Sequence, residues 1–150
     1  MKKYANFGAM IATSTILMYG LMYLNVFKLD HALFSETRLY MALIMGSVMA
    51  IVMLLFMRHM YTKKKMNVII LASSAFIFAI SLWLVRSQIT VDDSSWMKAM
   101  IPHHSIAILT SERANISDPR VQDLADSIIK AQREEIKEMK KLIEELEDEN

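Results

Sequence analysis

Cysteine is absent from this 150-residue chain, which excludes both a disulfide framework and a thiolate metal site. Glycine and proline are scarce, with three and two residues, so few positions would break a helix. Hydrophobic residues make up 54% of the chain. This composition is too apolar and too poor in helix breakers for an ordinary soluble α/β domain, and it is typical of a helical membrane protein.

Acidic residues are rare in the first part of the chain and abundant in the last. Residues 1–86 contain nine Lys or Arg and two acidic residues, whereas residues 87–150 contain eight Lys or Arg and fourteen acidic residues. Phosphate backbones are bound by basic faces, so the acidic C-terminal part argues against nucleic acid as a partner. It is compatible with a cation as the ligand.

Three long apolar segments predict three transmembrane helices, at about residues 7–27, 39–60 and 67–85. The first is longer than the apolar core of a usual signal peptide and lacks a small-residue cleavage pattern, so we interpret it as a retained anchor. We therefore expect an all-α protein with these parts: a membrane anchor at 1–86, a linker at 87–93 and a helical His-His domain at 94–150.

Basic residues lie at alternate ends of these segments. Lys2 and Lys3 precede the first segment, and residues 58–65 between the second and the third contain one arginine and three lysines. Basic loops usually stay in the cytoplasm. We therefore expect a multi-pass protein of the cytoplasmic membrane, with its N-terminus in the cytoplasm and its C-terminal domain outside.

Methionine is unusually frequent, with fourteen residues. Five recur at every fourth residue of the second segment and would form a slowly winding stripe on one side of a helix: Met41, Met45, Met49, Met53 and Met57. With His31 and His59 near the two ends of the first pair of spans, this stripe could hold or pass Cu(I), for which thioether sulfur is a good ligand. The simpler interpretation is that methionine fills gaps between apolar helices, because no charged residue interrupts the spans to mark an ion path.

Residues 96–111, WMKAMIPHHSIAILTS, carry the strongest functional pattern. Met97, Met100 and His104 are three and four residues apart, so they share one face of a helix, and His103 is three residues after Met100. Thioether and imidazole groups together suit Cu(I). Adjacent histidines diverge by about 100° around a helix, so one is expected to bind the ion and the other to serve a second site or subunit. Alternatively, the methionines fill the core and the histidines lie at a packing boundary.

Capping residues predict two helices in this domain. Residues 92–95, Asp-Asp-Ser-Ser, offer several N-caps for a helix that begins near Trp96 and ends at about Arg113. Pro102 either kinks this helix or begins a new one. The Asp-Pro pair at residues 118–119 is typical of an N-cap and a first helical position, and the second helix is expected to run to about Glu147.

The second helix has a seam at alternating steps of four and three residues: Val121, Ala125, Ile128, Gln132, Glu135, Met139, Leu142 and Leu146. In an antiparallel hairpin, equal distances from the turn place His103 opposite Gln132, Met100 opposite Glu135, and Met97 close to Met139. Buried polar groups need partners, so His, Met, Gln and Glu at one level indicate a site. Two helices alone bury little surface, and a second copy would complete a four-helix bundle, so we expect a homodimer or higher homo-oligomer.

The run MIPHHSIAI at residues 100–108, followed by QREEIKEM at residues 132–139, resembles the domain of unknown function 305 family. The resemblance covers about residues 93–146. It implies an extracytoplasmic, ferritin-like helical domain, and some members of the family are associated with copper. The family's pattern falls on these residues: Met100, His103, His104, Gln132, Glu135 and Met139. Ala99 and Thr110 stand where members often have methionine, and Lys98 stands at a commonly acidic position, changes that would weaken metal binding.

These patterns predict a membrane-anchored protein that captures or buffers copper, with Cu(I) favoured, outside the cytoplasmic membrane. The expected metal ligands are His103, His104, Met100, Met139 and Met97, with Gln132 and Glu135 orienting the imidazoles. The alternative is a non-catalytic helical dimerisation or docking module with a buried His-Gln-Glu network and no metal. We do not expect an enzyme, because no Glu-x-x-His pair, H-E-x-x-H motif or nucleophile with a base is present.

Overall fold

A computed structural model describes residues 2–148 of the chain. The predicted all-α class is confirmed, since the described residues form five α-helices and no strand. The helices are α1 (Lys2–Leu21), α2 (Glu36–Phe56), α3 (Lys64–Ser87), α4 (Asp93–Arg113) and α5 (Pro119–Asp148), and a short 3-10 helix occupies Leu29–His31.

The chain divides into two compact units. The first contains residues 2–22 and 37–90, and the second contains residues 23–36 and 91–148. The segment that links α1 to α2 therefore belongs with α4 and α5, although the sequence grouped it with the anchor.

In the first unit, α2 and α3 are the two helices among residues 2–148 that are long and apolar enough to cross a membrane. The helix α1 carries Asn6 and a Thr-Ser-Thr run at residues 13–15 and ends at Leu21, so residues 22–27 of the first predicted span lie outside it. The helix α2 also ends at Phe56, earlier than the predicted residue 60.

Small residues bring α2 close to α1. The buried face of α2 consists of Ala42, Gly46, Ser47, Ala50 and Leu54. Gly46 lies so close to the side chain of Thr15 that a Cβ atom at this position would overlap the Thr15 hydroxyl. Close backbone approach through small residues is the usual way in which helices pack within membranes.

In the second unit, α4 and α5 pack on each other through an apolar core: Met97, Ile101, Ile108, Ile136, Met139 and Ile143. The carboxylate of Asp92 caps α4 by accepting a hydrogen bond from the Ser95 backbone N–H at 2.6 Å. Pro102 lies inside a continuous α4 and begins no new helix. Asp118 likewise accepts from the Arg120 N–H at the start of α5.

Two ion pairs and one close polar contact link α4 to α5, and their order along α5 is the reverse of their order along α4. Lys98 contacts Glu147, His104 contacts Glu135, and Glu112 contacts Arg133, so partner numbers fall as numbers on α4 rise. The seam on α5 differs by one residue from the predicted one at three positions, because Ile129, Ile136 and Ile143 pack in the core where Ile128, Glu135 and Leu142 were expected. The prediction that Glu135 is a polar residue in the middle of the seam was therefore wrong. Glu135 lies at the edge of the interface, with half of its side chain exposed.

Candidate functional site

The methionines of the predicted site lie mostly in the core. Met97 and Met139 are buried in the same apolar cluster of α4 and α5, where the sequence expected them to be neighbours. Met100 is partly buried at the edge of this cluster. Sulfur atoms enclosed by Ile101 and Ile136 contribute to packing as gap-filling apolar groups.

The two histidines have different surroundings. The ring of His103 is exposed, whereas the side chain of His104 is only 14% exposed, and the ring centroids are 6.4 Å apart. The Nδ1 atom of His104 is buried and lies 2.9 Å from Oε2 of Glu135. The ring N–H does not point along the line between these two atoms, so the contact is a close polar pair without an aligned hydrogen bond.

Gln132 completes a small polar network with these two residues. Its Nε2 donates a hydrogen bond of 3.1 Å to Oε2 of Glu135, the oxygen that also faces His104. The expected pairs, His103 with Gln132 and Met100 with Glu135, are replaced by the pair of His104 with Glu135. The shifted seam explains this difference, because Ile136 turns into the core and Glu135 moves to its edge.

Burial sets the charge of His104. Removal of the ring from water lowers its pKa below the ordinary value of 6.5, the nearby His103 lowers it further, and Glu135 partly opposes this shift. The imidazole is therefore neutral at neutral pH. A neutral imidazole is the form that binds metal ions.

The donor set fits a copper ion only in part. Within residues 2–148, no group of three or more His, Asp or Glu side chains is close enough to hold a metal ion. The donors that are not enclosed by the core are His103, His104 and the partly buried Met100. These three could supply imidazole nitrogen and thioether sulfur, which together suit Cu(I) better than Mg²⁺ or Ca²⁺.

A contact that the sequence did not reveal joins residues 23–36, here named the clasp, to α4 and α5. The buried Ser105 is its centre: its hydroxyl accepts a hydrogen bond of 2.7 Å from the Phe27 backbone N–H and lies 2.9 Å from Nδ1 of His31. Lys140 donates a hydrogen bond of 2.6 Å to Asp30 and so ties the clasp to α5. His31 therefore serves this contact and is not a free end of a methionine ladder.

The charges of the clasp follow from these contacts. Burial lowers the pKa of His31 below 6.5, an effect that Asp30 opposes and that Lys140 and Lys28 reinforce. The hydrogen bond from Lys140 holds the pKa of Asp30 below its ordinary value of 3.8. At neutral pH the clasp therefore holds a neutral imidazole beside an ion pair.

Comparison with known proteins adds a family to this geometry. Residues 56–143, more than half of the chain, match the family described as "Domain of unknown function (DUF305)". The chain belongs to the DUF305 family. The match begins at the end of α2 and includes α3, so it extends further towards the N-terminus than the residues 93–146 suggested by the sequence motifs.

One relative of this DUF305 chain is an uncharacterized protein of Acanthamoeba polyphaga mimivirus. The two sequences are 32% identical over 145 residues, which cover 91% of this chain and 93% of the viral protein. The similarity therefore includes the two apolar helices α2 and α3 as well as α4 and α5. No solved structure matches the chain.

The methionine stripe of α2 lies beside the face that packs on the other helices. Met41 and Met45 are exposed, whereas Met53 and Met57 border the cluster of Phe7, Ala50, Leu54 and Tyr61. Met49 is half-buried, and His59 at the far end is exposed. The buried face itself is formed mostly by smaller residues, and the stripe is exposed only at Met41 and Met45.

A pocket of about 570 Å³ opens between the clasp, α4 and α5. Its apolar floor is formed by Phe27, Ile108 and Ile136, and basic residues of the clasp and α5 surround it. This pocket could not be predicted from sequence periodicity, because the residues that line it come from segments about 80 and 110 residues apart.

Proposed function

We propose that this DUF305 protein is a membrane-anchored, non-catalytic copper-binding protein that captures or buffers the ion outside the cytoplasmic membrane. The observation that carries the proposal is the pair of His104 with Glu135. Histidines that bind metals usually direct their second ring nitrogen to a carboxylate, which orients the ring and raises its basicity. With Nδ1 of His104 facing Glu135, Nε2 remains as the donor for the ion.

The ligands of this proposal are His104, His103 and Met100. Gln132 holds Glu135 in place through its hydrogen bond, and burial keeps the His104 ring neutral. Met97 and Met139, which the sequence also suggested as ligands, are assigned to the core. This smaller set favours Cu(I), since one of its three donors is a thioether.

Membrane anchoring is supported by α2 and α3. These helices are long and apolar enough to span a bilayer, and α3 buries only Ser74 and Ser81 while it exposes large apolar side chains such as Phe76 and Trp83. Such an apolar surface is suited to lipid. Basic residues between α2 and α3 favour a cytoplasmic loop there, with α4 and α5 outside.

The two ends of the α2–α3 pair support the same topology. The clasp precedes α2, and α4 and α5 follow α3, yet the clasp, α4 and α5 belong to one compact unit. They must therefore lie on the same side of a membrane, which requires an even number of crossings between them. Two crossings by α2 and α3 meet this requirement.

We propose that a second copy of the chain packs on the pair formed by α4 and α5. Val121 and Leu124, one turn apart on α5, are 48% and 58% exposed, and Trp96 on α4 is 51% exposed. Exposed apolar side chains of this size are common at helical interfaces. A homodimer would complete a four-helix bundle.

Copper binding is tested by titration of the purified full-length protein in non-ionic detergent with Cu(I). We expect binding tighter than micromolar that is lost in the double variant His103→Ala, His104→Ala. The variant Glu135→Gln should weaken binding by about 10–100-fold, because the carboxylate that orients the ring is removed. Glu138→Gln, an exposed change one turn further along α5, is the matched control and should bind like the parent.

Two results would disprove copper binding: an affinity no tighter than micromolar, or an affinity that is unchanged when both histidines are replaced. The alternative would then be a docking or dimerisation module in which Gln132, Glu135 and His104 form a polar network between two helices. The burial of Met97 and Met139 favours this alternative. Such a module would keep the same oligomeric mass in the presence of a copper chelator.

A further inference from the structure

The pocket between the clasp and α5 has an unusual charge for its part of the chain. Residues 87–150 contain fourteen acidic and eight basic residues, yet the pocket is lined by four basic residues and one acidic residue. The basic ones are Lys28 on the clasp and Arg133, Lys137 and Lys140 on α5. The three on α5 are four and three residues apart, so they share one face of the helix.

Two of these cations have no counterion among the residues that the structure describes. Lys140 pairs with Asp30 at 2.6 Å, and Arg133 pairs with Glu112 outside the pocket while its guanidinium lies 6.0 Å from the centre of the Phe27 ring. Lys28 and Lys137 form no ion pair with any residue in 2–148. The pocket therefore has excess positive charge available to an anionic ligand.

The floor of the pocket is apolar. This floor consists of Phe27, which is half-buried, and of Ile108 and Ile136, which are 1% and 4% exposed. A volume of about 570 Å³ falls in the usual range for small-molecule sites, about 300–1,000 Å³. It exceeds what a bare inorganic anion would fill.

We propose that this pocket binds an anionic amphiphile, a phosphate ester or carboxylate headgroup with the first part of its apolar chain. The headgroup would contact Lys28 and Lys137, and the chain would lie on Phe27, Ile108 and Ile136. Anionic membrane lipid is the source that we infer, because Lys28 is eight residues before the start of α2 and an extended chain of that length reaches at most about 28 Å. Only this choice of source rests on the proposed membrane anchoring.

Binding is tested by calorimetric titration of the purified full-length protein in non-ionic detergent. The probes are dihexanoyl phosphatidylglycerol, dihexanoyl phosphatidylcholine and inorganic phosphate. We expect saturable binding of the phosphatidylglycerol, with the other two probes at least about tenfold weaker. Equal binding of the phosphatidylcholine would overturn the role of the cations, and equal binding of inorganic phosphate would overturn the role of the apolar floor and of lipid as the source.

Matched variants locate the site. Lys28→Gln with Lys137→Gln should weaken phosphatidylglycerol binding at least about tenfold, because both unpaired cations are removed. Lys130→Gln with Lys141→Gln removes the same charge from residues that do not line the pocket, and it should change binding less than about threefold. Equal losses in the two double variants would show non-specific attraction and overturn the proposal. His103→Ala with His104→Ala should bind the lipid normally, so this result is separate from the copper titration.

Discussion

At the scale of single residues, Ser105 has more structural consequences than its small side chain suggests. It is fully buried, and its hydroxyl is the one group of α4 that contacts both the backbone of Phe27 and the ring of His31. Its loss would leave the buried Nδ1 of His31 and the partly buried N–H of Phe27 without this partner. Unsatisfied buried groups of this kind cost about 1–3 kcal/mol each.

Ser105→Ala is therefore expected to loosen the clasp by about 1–3 kcal/mol while α2 and α3 keep their stability. Hydrogen exchange of the full-length protein in detergent measures this change, as faster exchange in peptides that cover residues 23–36. Ser127→Ala is the matched control, because the Ser127 hydroxyl is exposed and donates only to Leu124 of its own helix. Unchanged exchange of the clasp in Ser105→Ala would contradict the importance of this contact.

The two buried imidazoles predict a dependence on pH. Burial lowers the pKa values of His31 and His104 below 6.5 in the folded protein, so the unfolded chain binds more protons as the pH falls through this range. Their contribution to stability is complete above pH 6.5 and is lost as the pH falls towards the lowered values. The pKa of Asp30 is also lowered, but from 3.8, so its contribution is lost only in stronger acid.

Thermal unfolding at pH 7.5 and pH 5 tests this expectation. Trp96, in the second unit, becomes the only tryptophan of the chain when Trp83 of the first unit is replaced by phenylalanine, so its fluorescence then reports on α4 and α5. The loss of stability at pH 5 should shrink in His31→Gln and in His104→Gln. Replacement of the exposed His59 is the control, and an unchanged loss in both test variants would refute the assignment.

Contacts between residues could be predicted only where the helical spacing of the sequence brings the residues together. The motifs identified His104, Gln132 and Glu135 as one set, because helical spacing places them near one level of two neighbouring helices. They did not identify the contact of His31 with Ser105, since a pair 74 residues apart leaves no periodic pattern in the sequence. Which residues of this set contact each other could be seen only in the structure. The sequence is compatible with two seams on α5, which differ by one residue at three positions.

At the scale of the helices, capping residues located the ends of α4 and α5 to within about three residues, whereas hydropathy misplaced the ends of α1 and α2 by more. Asp92 and the Asp-Pro pair at residues 118–119 determine where α4 and α5 begin, because their carboxylates satisfy the first free N–H groups of each helix. The apolar run from residue 7 to residue 27 continues beyond Leu21, where α1 ends, because residues from 23 onwards pack on the second unit. The end of α1 therefore depends on contacts with residues far away in the sequence, which the local hydropathy pattern does not show.

The packing of α1 on α2 depends on one glycine. A Cβ atom at Gly46 would overlap the Thr15 side chain, so Gly46→Ala should destabilise the first unit by about 1–3 kcal/mol. Gly8→Ala and Gly20→Ala are matched controls in α1, since no atom lies within 4 Å of a Cβ at either position, and they should be neutral or slightly stabilising.

A second substitution tests whether the overlap with Thr15, and not a general weakening of α2, destabilises Gly46→Ala. Thr15→Ala removes the two atoms nearest to the added Cβ, so the double variant with Gly46→Ala should recover most of the lost stability. Denaturation in detergent, followed through Trp83 in a protein that carries Trp96→Phe, gives the comparison. A double variant no more stable than Gly46→Ala would show that the close approach is not the cause.

At the scale of the whole molecule, the order of units along the chain makes a topological prediction. The clasp belongs to one unit with α4 and α5, and the pair α2–α3 lies between them in sequence. If α2 and α3 cross the membrane, position 29 in the clasp and position 127 in α5 share the outer side, and position 62 between the two helices lies inside. The absence of native cysteine allows each position to be labelled alone.

Single-cysteine variants labelled with a membrane-impermeant maleimide test this topology. Leu29→Cys and Ser127→Cys, both at exposed positions, should react in intact cells, whereas Thr62→Cys should react only after lysis. Ala5→Cys decides the first helix: protection in intact cells means that α1 also crosses, and reaction means that only α2 and α3 do. Reaction of Thr62→Cys together with the other two would show that the α2–α3 pair does not span. Opposite results for positions 29 and 127 cannot arise if the clasp binds α4 and α5, because two parts of one packed unit cannot lie on different sides of a bilayer.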